Sequence, residues 1–175
     1  MILKLKRTPG LYLVGFMASG KTTIGRILAD ELGWSFADLD EDIVASEGAA
    51  IADLFDTFGE EEFRKREERA LRKRVGQIER GQPTVLALGG GTFTFAANQK
   101  LLIDNGITIW LDCPFDRVAA RIDGSHHRPL ARDAVRFRQL YADRRAAYEN
   151  AEFRIEIQDD DPKPVIAAIL KLPVF

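Results

Sequence analysis

The chain has 175 residues, of which 46% are hydrophobic and 30% are charged, a composition typical of a folded domain and not of a disordered or fibrous chain. The formal net charge of −2 excludes a global basic field that would hold a nucleic acid or an anionic membrane surface. The single cysteine, Cys113, excludes an internal disulfide, and we expect a cytoplasmic monomer without nucleic-acid or membrane partners.

The first half of the chain alternates strand and helix patterns. Residues 11–14 form an apolar run without alternation, which predicts a strand buried on both faces of a parallel sheet. Residues 21–32 carry apolar side chains at helical spacing, and residues 34–38 have the pattern of a second strand. Residues 41–79 are helical in pattern, with breaks near two glycines and a highly charged last part that we expect to be mostly solvated.

Strand and helix patterns continue to alternate in the second half. They lie at 84–88, 97–105, 108–111, 115–121 and 153–157. Because right-handed crossovers place helices on both faces of a parallel sheet, this order predicts a three-layer α/β fold with five parallel strands. Ligands bind such sheets at the carboxyl ends of the strands, and the motifs described below follow those ends. We expect one domain over 1–175.

The segment Gly15-Phe16-Met17-Ala18-Ser19-Gly20-Lys21-Thr22 matches the pattern G-x-x-x-x-G-K-[ST] between a predicted strand and a predicted helix. Glycines let the backbone approach phosphate oxygens, and the helix presents its positive N-terminal end to them. The lysine can reach the β- and γ-phosphates, and the threonine hydroxyl can coordinate Mg²⁺. The predicted ATP-binding residues here are Gly15, Ala18, Ser19, Gly20, Lys21, Thr22 and Thr23. A glycine-rich turn without a ligand is the alternative.

Asp38 and Asp40 lie two residues apart at the end of the second predicted strand, so both side chains can point into the crevice at the edge of the sheet. One carboxylate could hold Mg²⁺ through water, while the other accepts a proton from an attacking hydroxyl. The alternative is structural, with Asp40 capping a helix and Asp38 simply solvated.

Gly89-Gly90-Gly91 follows the third predicted strand directly, which fits a ligand that lies against the backbone, or else a tight turn. Arg64 and Glu67 are three residues apart and share a helix face, so the acid could orient the arginine toward a planar carboxylate. In a helix this charged, an ordinary surface pair is the alternative.

Residues 123–132 have no clear helix or strand pattern and are predicted to form a mobile loop. Arg121 and Arg128, at and within this loop, could close over phosphates and stabilise transition-state charge. His126 and His127 have no partners at metal-ligand spacing and receive no role.

Taken together, these residues resemble the shikimate kinase family over nearly the whole chain. The resemblance rests on the phosphate loop and on further motifs with the same order and spacing. These are Phe36-x-Asp38-x-Asp40, Ile51-x-x-Leu54-Phe55, Gly59-Glu60-x-x-Phe63-Arg64-x-x-Glu67, Gly89-Gly90-Gly91, Arg128-Pro129-Leu130, and Arg144 four residues before Tyr148.

The resemblance implies a P-loop kinase that transfers the γ-phosphoryl group of ATP to the 3-hydroxyl of shikimate, with Mg²⁺, in aromatic amino acid (chorismate) biosynthesis. It implies a helical substrate-binding segment over 41–80 and a lid over 122–133. The implied catalytic residues are Lys21, Asp40 (the base) and Arg128, and the metal is held by Thr22 and Asp38. The ATP site gains Arg121 and Arg128. The implied shikimate-binding residues are Asp40, Arg64, Gly89, Gly90, Gly91 and Arg144.

The sequence departs from the family pattern at three places. Ala87 stands where the family usually has a hydroxyl residue, Ala146 stands where a proline is usual, and residues 159–161 are acidic where basic residues are frequent. Two alternative functions stay open because the same scaffold carries several activities: a kinase of another small hydroxylated acceptor, such as gluconate or a nucleoside monophosphate, or a catalytically silent nucleotide-binding relative.

Overall fold

A computed structural model describes residues 10–123 and 133–175. The strands are β1 (Gly10–Val14), β2 (Ser35–Asp38), β3 (Thr84–Ala87), β4 (Ile107–Asp112) and β5 (Phe153–Glu156). The helices are α1 (Lys21–Leu32), α2 (Leu39–Glu47), α3 (Ile51–Glu79), α4 (Ala96–Asn105), α5 (Phe115–Asp123), α6 (Ala134–Tyr148) and α7 (Pro162–Leu170), with a 3-10 turn at Thr92–Thr94.

The five strands form one parallel sheet in the order β2-β3-β1-β4-β5, flanked by helices, as predicted. All residues of β1, β3 and β4 are buried, which explains their continuous apolar sequence. Because the strands are parallel, the loops that follow their carboxyl ends lie along one edge of the sheet. The phosphate loop, Asp38 and the glycine triplet therefore meet at that edge.

Glycines end or bend the first three helices as the sequence indicates. Gly33 and Gly48 follow α1 and α2 in the left-handed conformation, with φ of 66° and 68°. Gly59 lies inside α3 with a φ of 78° and a ψ of 170°, so the helix kinks there. A residue with a side chain would be strained at these positions.

The structure agrees with the sequence predictions in some helices and differs from them in others. The charged last part of α3 agrees with its prediction, because one face buries Phe63, Glu67, Leu71, Val75 and Ile78 while the other residues of 60–79 are partly or fully exposed. Helices α6 and α7 were not predicted; in α6, four arginines interrupt the apolar residues and leave little periodic signal. In the part of the chain that the structure describes, no helix is both long and apolar enough to cross a membrane.

Candidate active site

The phosphate loop curls tightly between β1 and α1. Ala18 has a φ of 59° and Gly20 a φ of 94°, and Ala18 is the one non-glycine residue with positive φ within 10–123 and 133–175. Such a conformation is costly for alanine and is found where a site demands it. Lys21 Nζ donates hydrogen bonds to the carbonyl oxygens of Gly15 and Phe16, each at 2.8 Å. The ammonium group thus lies inside the loop, where phosphate oxygens would be held.

Asp38 links the second strand to the phosphate loop. Thr22 Oγ1 donates to Asp38 Oδ2 at 2.7 Å, while Asp38 Oδ1 accepts from the backbone N–H groups of Asp40 and Glu41. Asp38 is therefore the N-cap of α2, and the alternative that assigned capping to Asp40 and plain solvation to Asp38 is wrong. Asp40 lies in the first turn of α2, and its side chain lines the cavity described next.

A cavity of about 610 Å³ opens beside the phosphate loop and is large enough for a small polyol. Most of the predicted phosphate, metal and acceptor residues line it together. They are Ala18, Gly20, Lys21, Thr22, Thr23, Asp38, Asp40, Arg64, Gly89, Gly90, Gly91 and Arg144. Glu67, Phe55 and Phe63 also line it, so the cavity has both apolar and charged walls.

Arg64 and Glu67 form a pair with little exposure, and the surface-pair alternative is wrong. Arg64 Nη1 donates to Glu67 Oε1 at 2.9 Å, and only 15% and 2% of the two side chains is exposed. The guanidinium also lies over the rings of Phe55, Phe63 and Phe95, at 5.3–5.7 Å from their centroids. These contacts hold a cation at the cavity wall in one orientation.

Arg144 supplies the second guanidinium of the cavity from α6. Burial, together with the positive charge of nearby Arg64, lowers the pKa of Arg144. The guanidinium lies 5.6 Å from the ring centroid of Phe16 and joins none of the ion pairs within the described ranges. Two neighbouring, partly desolvated cations favour an anionic ligand between them.

The glycine triplet makes room for the charged side chains of the cavity. Gly89 faces Asp40 and Glu67, Gly90 faces Arg144, and Gly91 faces Arg64. A Cβ at Gly89 would lie 3.0 Å from Asp40 Oδ1, and one at Gly90 would lie 3.0 Å from Arg144 Nη1. Any larger residue would therefore displace the polar groups themselves, which is a more specific reason for three glycines than a tight turn.

A second cavity of about 390 Å³ lies on the other side of the phosphate loop, and Ala18, Gly20 and Thr23 line both cavities. Ser19 and Arg121 also line this second cavity. Its position beyond the loop fits the base and sugar of a nucleotide whose phosphates occupy the loop.

The acidic segment that follows β5 forms one wall of this second cavity. Asp161 caps α7 by accepting from the backbone N–H of Lys163, and Asp159 accepts from the N–H of Asp161. Asp160 Oδ1 accepts from Arg121 Nη2 at 2.9 Å and from Arg117 Nη1 at 3.1 Å. Arg121 Nη1 in turn donates to the Ala18 carbonyl oxygen at 2.7 Å. The acidic residues thus cap a helix and hold Arg121 at the cavity wall.

Some functional predictions fall outside this geometry. Arg128 and most of the predicted lid at 122–133 lie outside the described residues. Conversely, Thr92 and Tyr148 were given no role from the sequence, although Thr92 contacts Glu67 and the Tyr148 hydroxyl donates to the Gly90 carbonyl oxygen. The sequence signal that could have found them is their position: Thr92 directly follows the glycine triplet, and Tyr148 is one helical turn beyond Arg144.

Magnesium is the metal that the site chemistry implies, and the residues fit it. Within the described ranges, no three His, Cys, Asp or Glu side chains converge as a protein-only metal cage. Mg²⁺ needs no such cage when it binds with a nucleotide, because phosphates and water supply most of its oxygen ligands. The adjoining oxygens of Thr22 and Asp38 are suitable protein contributions, directly or through water.

The parallel sheet, the phosphate loop at its edge and the two adjoining cavities define a P-loop kinase of small molecules. The family model described as Shikimate kinase matches residues 17–172. A shikimate kinase from Persephonella marina is 36% identical over 91% of this chain and 96% of its own, and one from Synechococcus elongatus is 37% identical over 93% and 85%.

Solved structures agree with the sequence relatives. A shikimate kinase from Acinetobacter baumannii, in complex with shikimate, has a TM-score of 0.86 and 36% identity, covering 94% of this chain and 92% of its own. The chain belongs to the shikimate kinase family. The family and fold predicted from the sequence are confirmed.

Proposed function

We propose that this protein transfers the γ-phosphoryl group of ATP to the 3-hydroxyl of shikimate, as its family membership indicates. The observation that carries the proposal is the cavity in which Asp40, Arg64 and Arg144 lie beside the phosphate loop. A carboxylated polyol offers one planar anion for the two guanidinium groups and hydroxyls for the carboxylate of Asp40.

The phosphate loop, in this proposal, binds the triphosphate and Lys21 neutralises its β- and γ-oxygens. Arg64 and Arg144 bind the carboxylate of shikimate and thereby turn its 3-hydroxyl toward the γ-phosphorus. The acceptor oxygen forms a bond to that phosphorus, the bond to the bridging oxygen of ADP breaks, and the hydroxyl proton passes to Asp40.

Magnesium, held near Thr22 and Asp38, would supply positive charge to the phosphate oxygens during transfer. Arg128 remains a predicted catalytic residue that adds positive charge at the transferring phosphate, and the lid over 122–133 remains a predicted cover that excludes water. Arg121 is proposed to lie beside the adenine, because it lines the second cavity.

The remaining inferences concern the state of the protein in the cell. We infer a cytoplasmic monomer of one domain; the cytoplasm is supported by the single buried cysteine, which forms no disulfide. Light scattering coupled to gel filtration at assay concentrations tests the monomer, and a dimer mass would contradict it.

The test of the proposed function is an ADP-release assay with ATP and Mg²⁺ that compares shikimate, gluconate, a nucleoside monophosphate and no acceptor. We expect ADP release with shikimate only. ADP release with another acceptor alone would support a kinase but exclude shikimate as its acceptor. ATP binding without ADP release for any acceptor would favour a catalytically silent relative.

Asp40→Asn tests the proposed base. It should lower kcat about 100- to 10,000-fold because the proton loses its acceptor, while the dissociation constant of ATP stays nearly unchanged. Asp56→Asn makes the same chemical change at an exposed position of the same cavity and should leave kcat nearly unchanged. Full activity of Asp40→Asn would remove Asp40 from the role of base.

A further inference from the structure

Thr92 is a fully buried residue that touches the cavity only through another side chain. It begins the 3-10 turn after the glycine triplet, and its exposed fraction is 0%. Its backbone N–H donates to the Gly89 carbonyl oxygen at 3.2 Å, and its own carbonyl oxygen accepts from Asn98 Nδ2 at 3.0 Å. The backbone of Thr92 is therefore held in place from both sides, which directs its side chain in one fixed direction.

The Thr92 hydroxyl is directed at the carboxylate that orients Arg64. Thr92 Oγ1 donates to Glu67 Oε2 at 2.9 Å, while Glu67 Oε1 accepts from Arg64 Nη1 at 2.9 Å. Glu67 is only 1% exposed, so water cannot readily replace either donor. A buried carboxylate oxygen without a donor is costly, and both oxygens of Glu67 are satisfied here by one donor each.

The two oxygens of Glu67 have different donors, and this difference bears on how Arg64 binds Glu67. Arginine and a carboxylate readily form a bidentate pair that uses two parallel N–H groups of the guanidinium. In this structure Oε2 accepts from Thr92, and Arg64 reaches Glu67 through Nη1 alone. Without the hydroxyl, Oε2 would seek a second N–H of Arg64, and the guanidinium would turn away from the cavity toward Glu67.

We propose that Thr92 is a positioning residue for the acceptor's carboxylate: by holding Glu67 Oε2, its hydroxyl keeps an edge of Arg64 directed at the cavity. The inference rests on the proposed function, in which Arg64 binds that carboxylate. It assigns a role to a side chain that itself touches neither ATP nor the acceptor.

The experiment compares three variants with the wild-type protein. Thr92→Val removes the hydroxyl with almost no change of shape, Thr92→Ser keeps it, and Thr84→Val is the matched control. Thr84 is 2% exposed, and its hydroxyl donates to the Gln82 carbonyl oxygen at 2.7 Å, at the start of β3 and away from the cavity. The measurements are shikimate and ATP binding by calorimetry, KM and kcat for both substrates, and Tm.

We expect Thr92→Val to raise the Kd and KM for shikimate about 5- to 50-fold, with kcat and the ATP constants changed by less than about twofold. The reason is that the carboxylate takes no part in the bond changes, so Arg64 binds it equally in ground and transition states. Arg144 still orients the acceptor, and the loss therefore raises KM and not the chemical barrier. Thr92→Ser should restore shikimate binding to within about threefold, and Thr84→Val should bind both substrates normally even if its Tm falls.

The outcomes separate this inference from the proposed function. If the wild-type protein neither binds nor phosphorylates shikimate, the proposed function fails and the role of Thr92 fails with it. If the wild-type protein is active and Thr92→Val binds shikimate equally well, only the role of Thr92 is overturned. An equal loss of ATP and shikimate binding would also overturn it, because it would show a general structural defect. Thr92→Ala, which removes the same hydroxyl without placing a methyl beside Glu67, decides the question if the valine variant does not fold.

Discussion

Replacing Gly91 by alanine would move Arg64 without touching the phosphate loop. Gly91 has a φ of −98° and a ψ of −10°, which any residue can adopt, so the backbone itself accepts alanine. The added Cβ would overlap Arg64 Nη2 and lie 2.7 Å from Nη1. To regain ordinary contact distances, the guanidinium must shift by about 1 Å and weaken its hydrogen bond to Glu67.

A misplacement of this size has a predictable effect on binding. A shift of about 1 Å in a positioning group costs up to about 100-fold in efficiency. We therefore expect Gly91→Ala to raise the KM for shikimate about 10- to 100-fold, equivalent to about 1.4–2.7 kcal/mol, with the KM for ATP changed by less than about twofold.

The assay is ADP release with each substrate varied in turn, and Gly76→Ala is the matched control. Gly76 lies within α3, and its added Cβ would meet Arg80 Nη1 at an ordinary 3.6 Å. That control should keep wild-type kinetics and gain about 0.5–1 kcal/mol of stability. A Gly91→Ala variant with wild-type shikimate KM and wild-type Tm would refute the assignment of Arg64 to the acceptor.

Three further predictions concern the surroundings of the site. Asp112, 6% exposed, accepts from Arg145 and Arg154, so Asp112→Asn should lower the free energy of unfolding by about 1–3 kcal/mol in urea titrations, and an unchanged midpoint would contradict this. Hydrogen bonds from Arg121, then Arg117, lower the pKa of Asp160, so their pairing exists at neutral pH and is lost only as pH falls through that lowered pKa. Asp160→Asn should therefore raise the KM for ATP at neutral pH about 3- to 10-fold and leave the KM for shikimate unchanged. An unaltered KM for ATP would contradict the assignment of Arg121 to the nucleotide site. Burial raises the pKa of Tyr148, so its contribution to stability should be constant below about pH 10 and fall by about 1.4 kcal/mol per pH unit above it, where only the unfolded tyrosine ionises. Tyr148→Phe should remove this contribution to the slope of unfolding free energy against pH, measured by urea titrations from about pH 8 to 11. An identical slope in the variant would contradict a raised pKa of Tyr148.

The parts of the site that could be predicted are those with a local chemical requirement. The phosphate loop needs glycines, a lysine and a hydroxyl at fixed spacing, and the structure places that loop between β1 and α1 as expected. The parts that could not be predicted depend on side chains far apart in sequence. Glu67 and Thr92 are 25 residues apart and meet only because α3 packs against the turn that follows β3.

The sequence alone determined the alternation of strands and helices, the ends of α1 and α2 at glycines, and the motif that binds phosphate. These features depend on backbone conformation and on short-range periodicity, which a few neighbouring residues specify. The tertiary structure decided the strand order, the role of Asp38 as the cap of α2, and the burial of Glu67. The physical reason is that burial and hydrogen-bond partners are set by long-range packing, so the same Arg64–Glu67 spacing is compatible with a solvated surface pair or with the wall of a binding cavity.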